Sequence, residues 1–178
     1  MAIAEKLTKL NNIKLAIKDE LADVGMNMEG SSFEQYPSVI NEKIKQLISG
    51  ATGAIRIPNG VMHIKDYLFY LSTVHTVILS DSVQVIGSHA FEECHGLRSL
   101  DMTNVEQICP SAFYNCTNLK SIVLGTNLKM IQNLAFVYCE SLTDVYYRGS
   151  KTEWNKILIE QGNEVLTESA TIHYNYTG

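Results

Sequence analysis

Residues 86–145 repeat one pattern three times, at intervals of 22 and 23 residues. The copies read IGSHAFEECHGLRSL (86–100), ICPSAFYNCTNLKSI (108–122) and IQNLAFVYCESLTDV (131–145). An Ile, an Ala-Phe pair, a Cys and a Leu recur, and the residues between them vary. A weaker copy precedes them, with Ile64 and Phe69 each 22 residues before Ile86 and Phe91. Such a period indicates stacked units, because one unit buries its apolar side only against its neighbours.

Each unit also contains a segment with the periodicity of a β-strand. These segments are VHTVIL (74–79), LRSLDM (97–102), LKSIVL (119–124) and LTDVYY (142–147). Their last positions alternate as strand residues do. We predict one short strand per unit, stacked in parallel, with the Ala-Phe segment forming the opposite wall as a helical or 3₁₀ turn. The recurring Phe, Cys and Leu residues are then core positions.

The repeats resemble the leucine-rich repeats of bacterial surface antigens, the BspA-like type, over residues 55–176. The segment SVQVIGSHAFEECHGLRSL and its copies carry this resemblance, and the period lies in the range of about 20–29 residues of such repeats. Ser72 takes the Cys position of the first copy and departs from the pattern. The resemblance implies an α/β leucine-rich-repeat solenoid of about four repeats, closed by a terminal module from about residue 145.

That terminal module has apolar residues at helical spacing. Trp154, Ile157 and Leu158 follow GSKTE, so we predict a segment that folds over the last strand and excludes water from the end of the stack. The segment ATIHYN (170–175) is predicted to add a final strand.

Residues 1–48 show a heptad pattern instead, which predicts a helical module joined to the repeats by a linker at 49–54. Apolar residues recur at gaps of 4 and 3 and are interrupted once by a lysine. A second helix is predicted to begin near a capping box of Ser32 and Gln35. The seam of the first helix consists of Ile3, Leu7, Leu10, Lys14, Ile17, Leu21 and Val24.

The seam has two interpretations. It either bundles copies of the chain into a homo-oligomer, for which we favour a trimer over a dimer, or folds back to cap the solenoid. The block IAEKLTKLNNIKLAIKDELADVG with SSFEQYPSVINEKI is similar to helical segments of bacteriophage tail and fibre proteins. That resemblance implies an anchoring and oligomerisation module that contacts other virion proteins.

Composition argues against several classes of protein. The net charge of −5 and pI near 5.5 give no basic field for nucleic acid. The N-terminus lacks the apolar h-region of a signal peptide, and no run is long enough for membrane insertion. Four cysteines are too few for a disulfide framework.

No catalytic, cofactor-binding or metal-binding residues are predicted, and we expect no enzyme. His89, Cys94 and His95 lie near two glutamates, but Cys94 belongs to the recurring core column and lacks paired ligand spacing. Cys109 has no matching His–Asp arrangement. Phosphate-loop, dinucleotide and zinc-protease motifs do not occur in the sequence.

Recognition is instead predicted on the outward strand positions, because solenoids bind partners on such faces. The ligand is expected to be a glycan or protein of a host surface. The predicted binding residues are His75, Ile78, Arg98, Asp101, Lys120, Val123, Asp144 and Tyr146.

Three functions follow. The first is a virion structural protein, a phage fibre, tail-associated or head-decoration subunit, assembled in the bacterial cytoplasm and displaying the repeats to a host. The second is a BspA-like adhesin on the bacterial cell surface. The third is an intracellular interaction scaffold.

Overall fold

A computed structural model describes residues 54–57 and 59–178. The predicted domain at 1–48, its heptad seam and nearly all of the linker lie outside these residues. The elements are β1 (Ile55–Arg56), β2 (His63–Ile64), β3 (Val77–Ile78), β4 (Val85–Ile86), β5 (Ser99–Met102), β6 (Gln107–Ile108), β7 (Ser121–Leu124), β8 (Met130–Ile131), β9 (Asp144–Tyr147), α1 (Lys151–Trp154), β10 (Leu158–Ile159), a π-helical turn (Val165–Ser169) and β11 (Thr171–His173).

These strands form a parallel solenoid of about five turns. One sheet has the order β10-β8-β6-β4-β2, a second has the order β11-β9-β7-β5, and β1 pairs with β3 in a separate two-stranded sheet. Every pairing is parallel. The prediction of one strand per unit was therefore wrong, because each complete turn contributes one strand to each of two sheets.

The recurring apolar residues form the core, as predicted. Phe69, Phe91, Phe113 and Phe136 are buried and stack face to face, with ring centroids 4.8, 5.1 and 4.9 Å apart. The thiols of Cys94, Cys116 and Cys139 are also buried. Each donates a hydrogen bond to the Phe carbonyl of the preceding turn, at 2.8, 3.0 and 3.1 Å. The repeated Phe and Cys columns thus connect each turn to the next.

The Ala-Phe segments form a third wall, which we call the turn wall (residues 66–71, 88–93, 110–115 and 133–138). It is built of turns rather than the predicted helix. Two residues in each segment have left-handed backbone, with φ of 54–59°. Seven of these eight donate a backbone hydrogen bond to the next turn, as His89 does to Pro110 O at 3.1 Å. Such bonds offset a conformation that costs about 1–3 kcal/mol per residue. The residues are Tyr67, Leu71, His89, Glu93, Ser111, Asn115, Leu134 and Tyr138.

The C-terminal segment is a further turn of the solenoid rather than a separate cap. Its strand β10 pairs with β8, and β11 pairs with β9 as the predicted final strand. Ser150 caps α1 reciprocally with Glu153. Trp154 and Ile157 are buried as predicted, whereas Leu158 is 52% exposed because α1 ends at Trp154.

Candidate binding surface

The outer side of the four-stranded sheet presents two aligned columns of side chains, and we call this surface the strand face. Register places Ser99, Ser121, Asp144 and Thr171 side by side, and likewise Asp101, Val123, Tyr146 and His173. The alternate positions of β5, β7 and β9 are buried in the core. The scaffold therefore fixes the spacing of the outward side chains at about 4.8 Å between strands.

Six of the eight predicted binding residues lie on or beside this sheet. Arg98 and Lys120 precede β5 and β7 and are exposed, as is Asp101. Val123, Asp144 and Tyr146 are half-buried.

The other two predicted residues belong to the neighbouring strand. His75 precedes β3 and Ile78 ends it, and β3 pairs with β1 instead of β5. A cleft of about 290 Å³ separates β3 from β5 and is lined by Ile78, Asp101, Thr103 and Arg148 among others. The predicted column is thus divided at its first turn.

Arg98 and Lys120 form a pair of adjacent cations. The backbone N–H of Lys120 donates to Arg98 O at 2.8 Å, so the two residues occupy the same position on neighbouring turns. Within residues 54–57 and 59–178, neither side chain makes a hydrogen bond or an ion pair. Ser99 and Ser121 follow them on the next outward column.

An aromatic cluster lies at the C-terminal end of the strand face. The ring of Tyr146 lies 4.7 Å from that of His173, nearly parallel to it, and 4.7 Å from that of Tyr176. The Arg148 guanidinium carbon is 5.7 Å from the Tyr176 ring centre. Arg148 also donates from Nε to Thr103 Oγ1 and from Nη2 to Gly178 O, both at 3.0 Å. These contacts hold the cluster in one arrangement.

Asp144 is the fixed anion of this cluster. Its Oδ1 lies 2.7 Å from His173 Nε2, and its Oδ2 accepts from Thr143 Oγ1 at 2.8 Å. The hydrogen bond to His173, followed by that from Thr143, lowers the pKa of Asp144. The carboxylate is therefore ionised at neutral pH and its orientation is set by two neighbours.

The sequence analysis missed His173, Tyr176 and Arg148. The interval from Tyr146 to His173 is 27 residues, because α1 and the π-helical turn lengthen the last turn. The 22–23-residue period could not extend the column that far. The predicted strand ATIHYN was the one signal that placed His173 in the sheet.

The sites weighed for chemistry lie on or near the turn wall. His89 Nδ1 contacts Glu92 Oε2 at 2.5 Å, and His95 Nε2 contacts Glu93 Oε2 at 2.9 Å. Cys94 is buried away from both histidines in the core. In the part of the chain that the structure describes, no three His, Cys, Asp or Glu side chains group as metal ligands would.

Cys109 is half-buried, and Gln107 Nε2 lies 3.7 Å from its sulfur. Burial, followed by the charge of Asp66, raises the pKa of this thiol. This is the opposite of an activated nucleophile.

No helix among residues 54–57 and 59–178 is long and apolar enough to cross a membrane.

The parallel turns, the Ala-Phe and Cys columns and the strand face define a leucine-rich-repeat solenoid. Residues 49–163 match the family described as BspA type leucine-rich repeat region, in six copies. The chain belongs to this family, which confirms the resemblance found in the repeats.

Two solved structures are similar to the chain. A leucine-rich cell surface protein from Faecalibacterium prausnitzii is 25% identical with a TM-score of 0.51, and covers 59% of this chain and 34% of its own. A leucine-rich repeat protein from Bacteroides ovatus is 28% identical with a TM-score of 0.53, and covers 67% of this chain and 30% of its own. The chain thus spans about a third of each solved protein.

No curated protein matches the chain significantly. The matching family and the two similar structures are bacterial leucine-rich-repeat proteins, and none of them is a bacteriophage protein or an enzyme family. These similarities favour the BspA-like surface protein over the virion subunit.

Proposed function

We propose that this chain is a non-enzymatic binding module of a bacterial cell-surface protein and that it binds its ligand through the strand face. The observation that carries this proposal is the grouping of unpaired cations, hydroxyl groups and fixed aromatic rings on one side of the four-stranded sheet. Family membership and the similarity to a leucine-rich cell surface protein support the surface location.

The mechanism follows from the rigidity of the scaffold. Buried residues on β5, β7 and β9 hold their outward neighbours in register, so little conformational freedom is lost when a ligand binds. Repetition along the sheet lets several weak contacts act on one extended ligand. This role requires no reacting group.

Binding of the whole chain to an array of glycans and proteins would test the proposal. The variant Ser99→Gln/Ser121→Gln adds neutral bulk at the centre of the strand face, and we expect it to weaken binding at least fivefold. Its matched control is Leu134→Gln/Tyr138→Gln, two exposed residues of the turn wall, which should leave binding unchanged. Binding that responds only to the control pair would refute the strand face as the site.

The virion subunit is the second candidate, and it depends on residues 1–48. The proposed oligomerisation seam is tested on the whole chain by light scattering. We expect a dimer or trimer that becomes a monomer in Leu7→Asp/Leu21→Asp. A monomeric wild type would leave the seam as a local cap. Detection of the chain in purified particles would favour the virion, and its detection on intact bacterial surfaces would favour the adhesin.

A further inference from the structure

The basic pair of Arg98 and Lys120 has no structural function in the described part of the chain. Like charges at neighbouring positions of paired strands are destabilising. Neither cation has an anionic partner among residues 54–57 and 59–178 that would offset this repulsion. The nearest carboxylates of the face have other partners, because Asp144 binds His173 and Asp101 accepts from Thr103.

The surroundings of the pair can complete an anion site. Ser99 and Ser121 lie next to the two cations on the outward column, and Thr143 continues the cation column on the next turn. Two cations about 4.8 Å apart with hydroxyl donors beside them match a carboxylate or sulfate group. The site is open to solvent, so the ligand reaches it without a conformational change of the sheet.

The aromatic cluster lies within reach of the same ligand. Tyr146 is three residues along and one strand across from Lys120, a separation of about 11 Å from strand geometry. The flat rings of Tyr146, His173 and Tyr176 are held by mutual contacts and by the His173–Asp144 bond. A ligand of two or more linked rings can therefore meet both the basic pair and the cluster.

The strand face has too little apolar surface for the core of a protein interface. Its outward apolar residues Val123 and Tyr146 are half-buried, whereas protein interfaces bury an apolar central patch. The exposed large hydrophobic residues of the described part all lie elsewhere: Met62, Leu71, Leu134, Tyr138 and Leu158.

We propose that the strand face binds an acidic polysaccharide. The acidic group lies on Arg98 and Lys120, and a neighbouring sugar ring packs on the cluster of Tyr146, His173 and Tyr176. This inference rests on the proposed function and adds the ligand class. The acidic group is a carboxylate of a uronic acid or a sulfate ester, which share the same recognition chemistry.

Titration calorimetry of the whole chain tests this with four probes: a uronic-acid oligosaccharide, a sulfated oligosaccharide, a neutral oligosaccharide of equal length and a poly-glutamate peptide. We expect one or both acidic sugars to bind at least tenfold more tightly than the neutral sugar and the peptide. The stronger acidic sugar identifies the source of the anion. Its affinity should fall as salt is raised, because the contact is between exposed charges.

The test variant is Arg98→Gln/Lys120→Gln, expected to weaken binding of the acidic sugar at least tenfold. The control Lys151→Gln/Lys156→Gln removes two exposed cations near α1, and should change affinity less than twofold. Tyr146→Ala should weaken the acidic oligosaccharide several-fold and leave a single acidic sugar unaffected. Circular dichroism melts confirm that each variant is folded.

Equal affinity for the neutral sugar, or no loss in Arg98→Gln/Lys120→Gln, would overturn the inference. Preference for poly-glutamate would overturn it in favour of an acidic protein partner. In all these cases the proposed function survives if the array ligand is still lost in Ser99→Gln/Ser121→Gln. It fails only if that variant also has no effect.

Discussion

The side-chain oxygen of Asn163 accepts a hydrogen bond from the backbone N–H of Phe136 at 3.0 Å. In the three earlier turns the equivalent Phe N–H donates to the Ala carbonyl of the following turn, at 2.7–2.8 Å. The last turn has no such Ala, and the amide of Asn163 takes its place. The same side chain donates to Gln132 O and Glu160 O at 2.9 and 2.8 Å. One buried amide thus completes the turn wall.

Asn163→Ala is expected to lower the free energy of unfolding by about 2 kcal/mol or more, because each buried polar group left unpaired costs about 1–3 kcal/mol. Urea denaturation followed by circular dichroism measures this. The control Asn133→Ala removes an exposed amide of the turn wall, and should change stability by about 0.5 kcal/mol at most. Equal losses in both variants would show that Asn163 does not complete the turn wall.

Phe113→Ala removes a central ring from the aromatic stack. Because Phe113 is fully buried between Phe91 and Phe136, we expect a loss of about 3–5 kcal/mol. Tyr138→Ala is the comparison, since that ring is 56% exposed on the turn wall, and its loss should be at most about 1 kcal/mol. A similar loss in both would contradict a core built on the Phe column.

The four thiols are expected to differ in reactivity. Burial raises the pKa of Cys94 to about 12, so at pH 8 about one thiol in ten thousand is ionised. Interaction with the Cys139 side chain, followed by burial, raises the pKa of Cys116 as well. A disulfide reagent at pH 8 should label one thiol per native chain, slowly, and four after denaturation. Cys109→Ser should abolish the native labelling, and rapid labelling of a second thiol would contradict the buried column.

The carboxyl group of Asp144 is expected to titrate below the ordinary Asp value of about 3.9, because His173 and Thr143 bind its ionised form. The pair thus contributes to stability above about pH 4 and loses that contribution as the pH falls through the lowered pKa. Carboxyl carbon NMR measures the titration directly. In His173→Ala the Asp144 pKa should rise, and an unchanged titration would rule out His173 as the main cause.

The repeat pattern predicted those parts of the fold that periodic side chains encode. Phe91, Cys94 and Leu97 recur at one interval, and all are fully buried. The strands β5, β7 and β9 alternate over four residues, enough to be recognised in the sequence. The second sheet was missed because its strands, such as Val85–Ile86, have two residues and show no alternation.

Two other features lay beyond the sequence for different reasons. Left-handed backbone is usually signalled by Gly or Asn, but the turn wall places Leu134 and Tyr138 in it, and hydrogen bonds between turns compensate. The aromatic cluster depends on how the longer last turn returns to the sheet, and local pattern does not determine that register. Arg98, Lys120 and Tyr146 could be placed on one face because their turns keep the regular period.

The parallel register also determines how this chain can change in length. Removal of one complete unit brings Lys120 or Thr143 beside a new neighbour of the same column, and both the core and the strand face are preserved. Insertion of a single residue within β7 instead turns its buried side chains outward. Gain or loss of whole turns is therefore the tolerated form of insertion and deletion, and each added turn lengthens the strand face by one strand spacing.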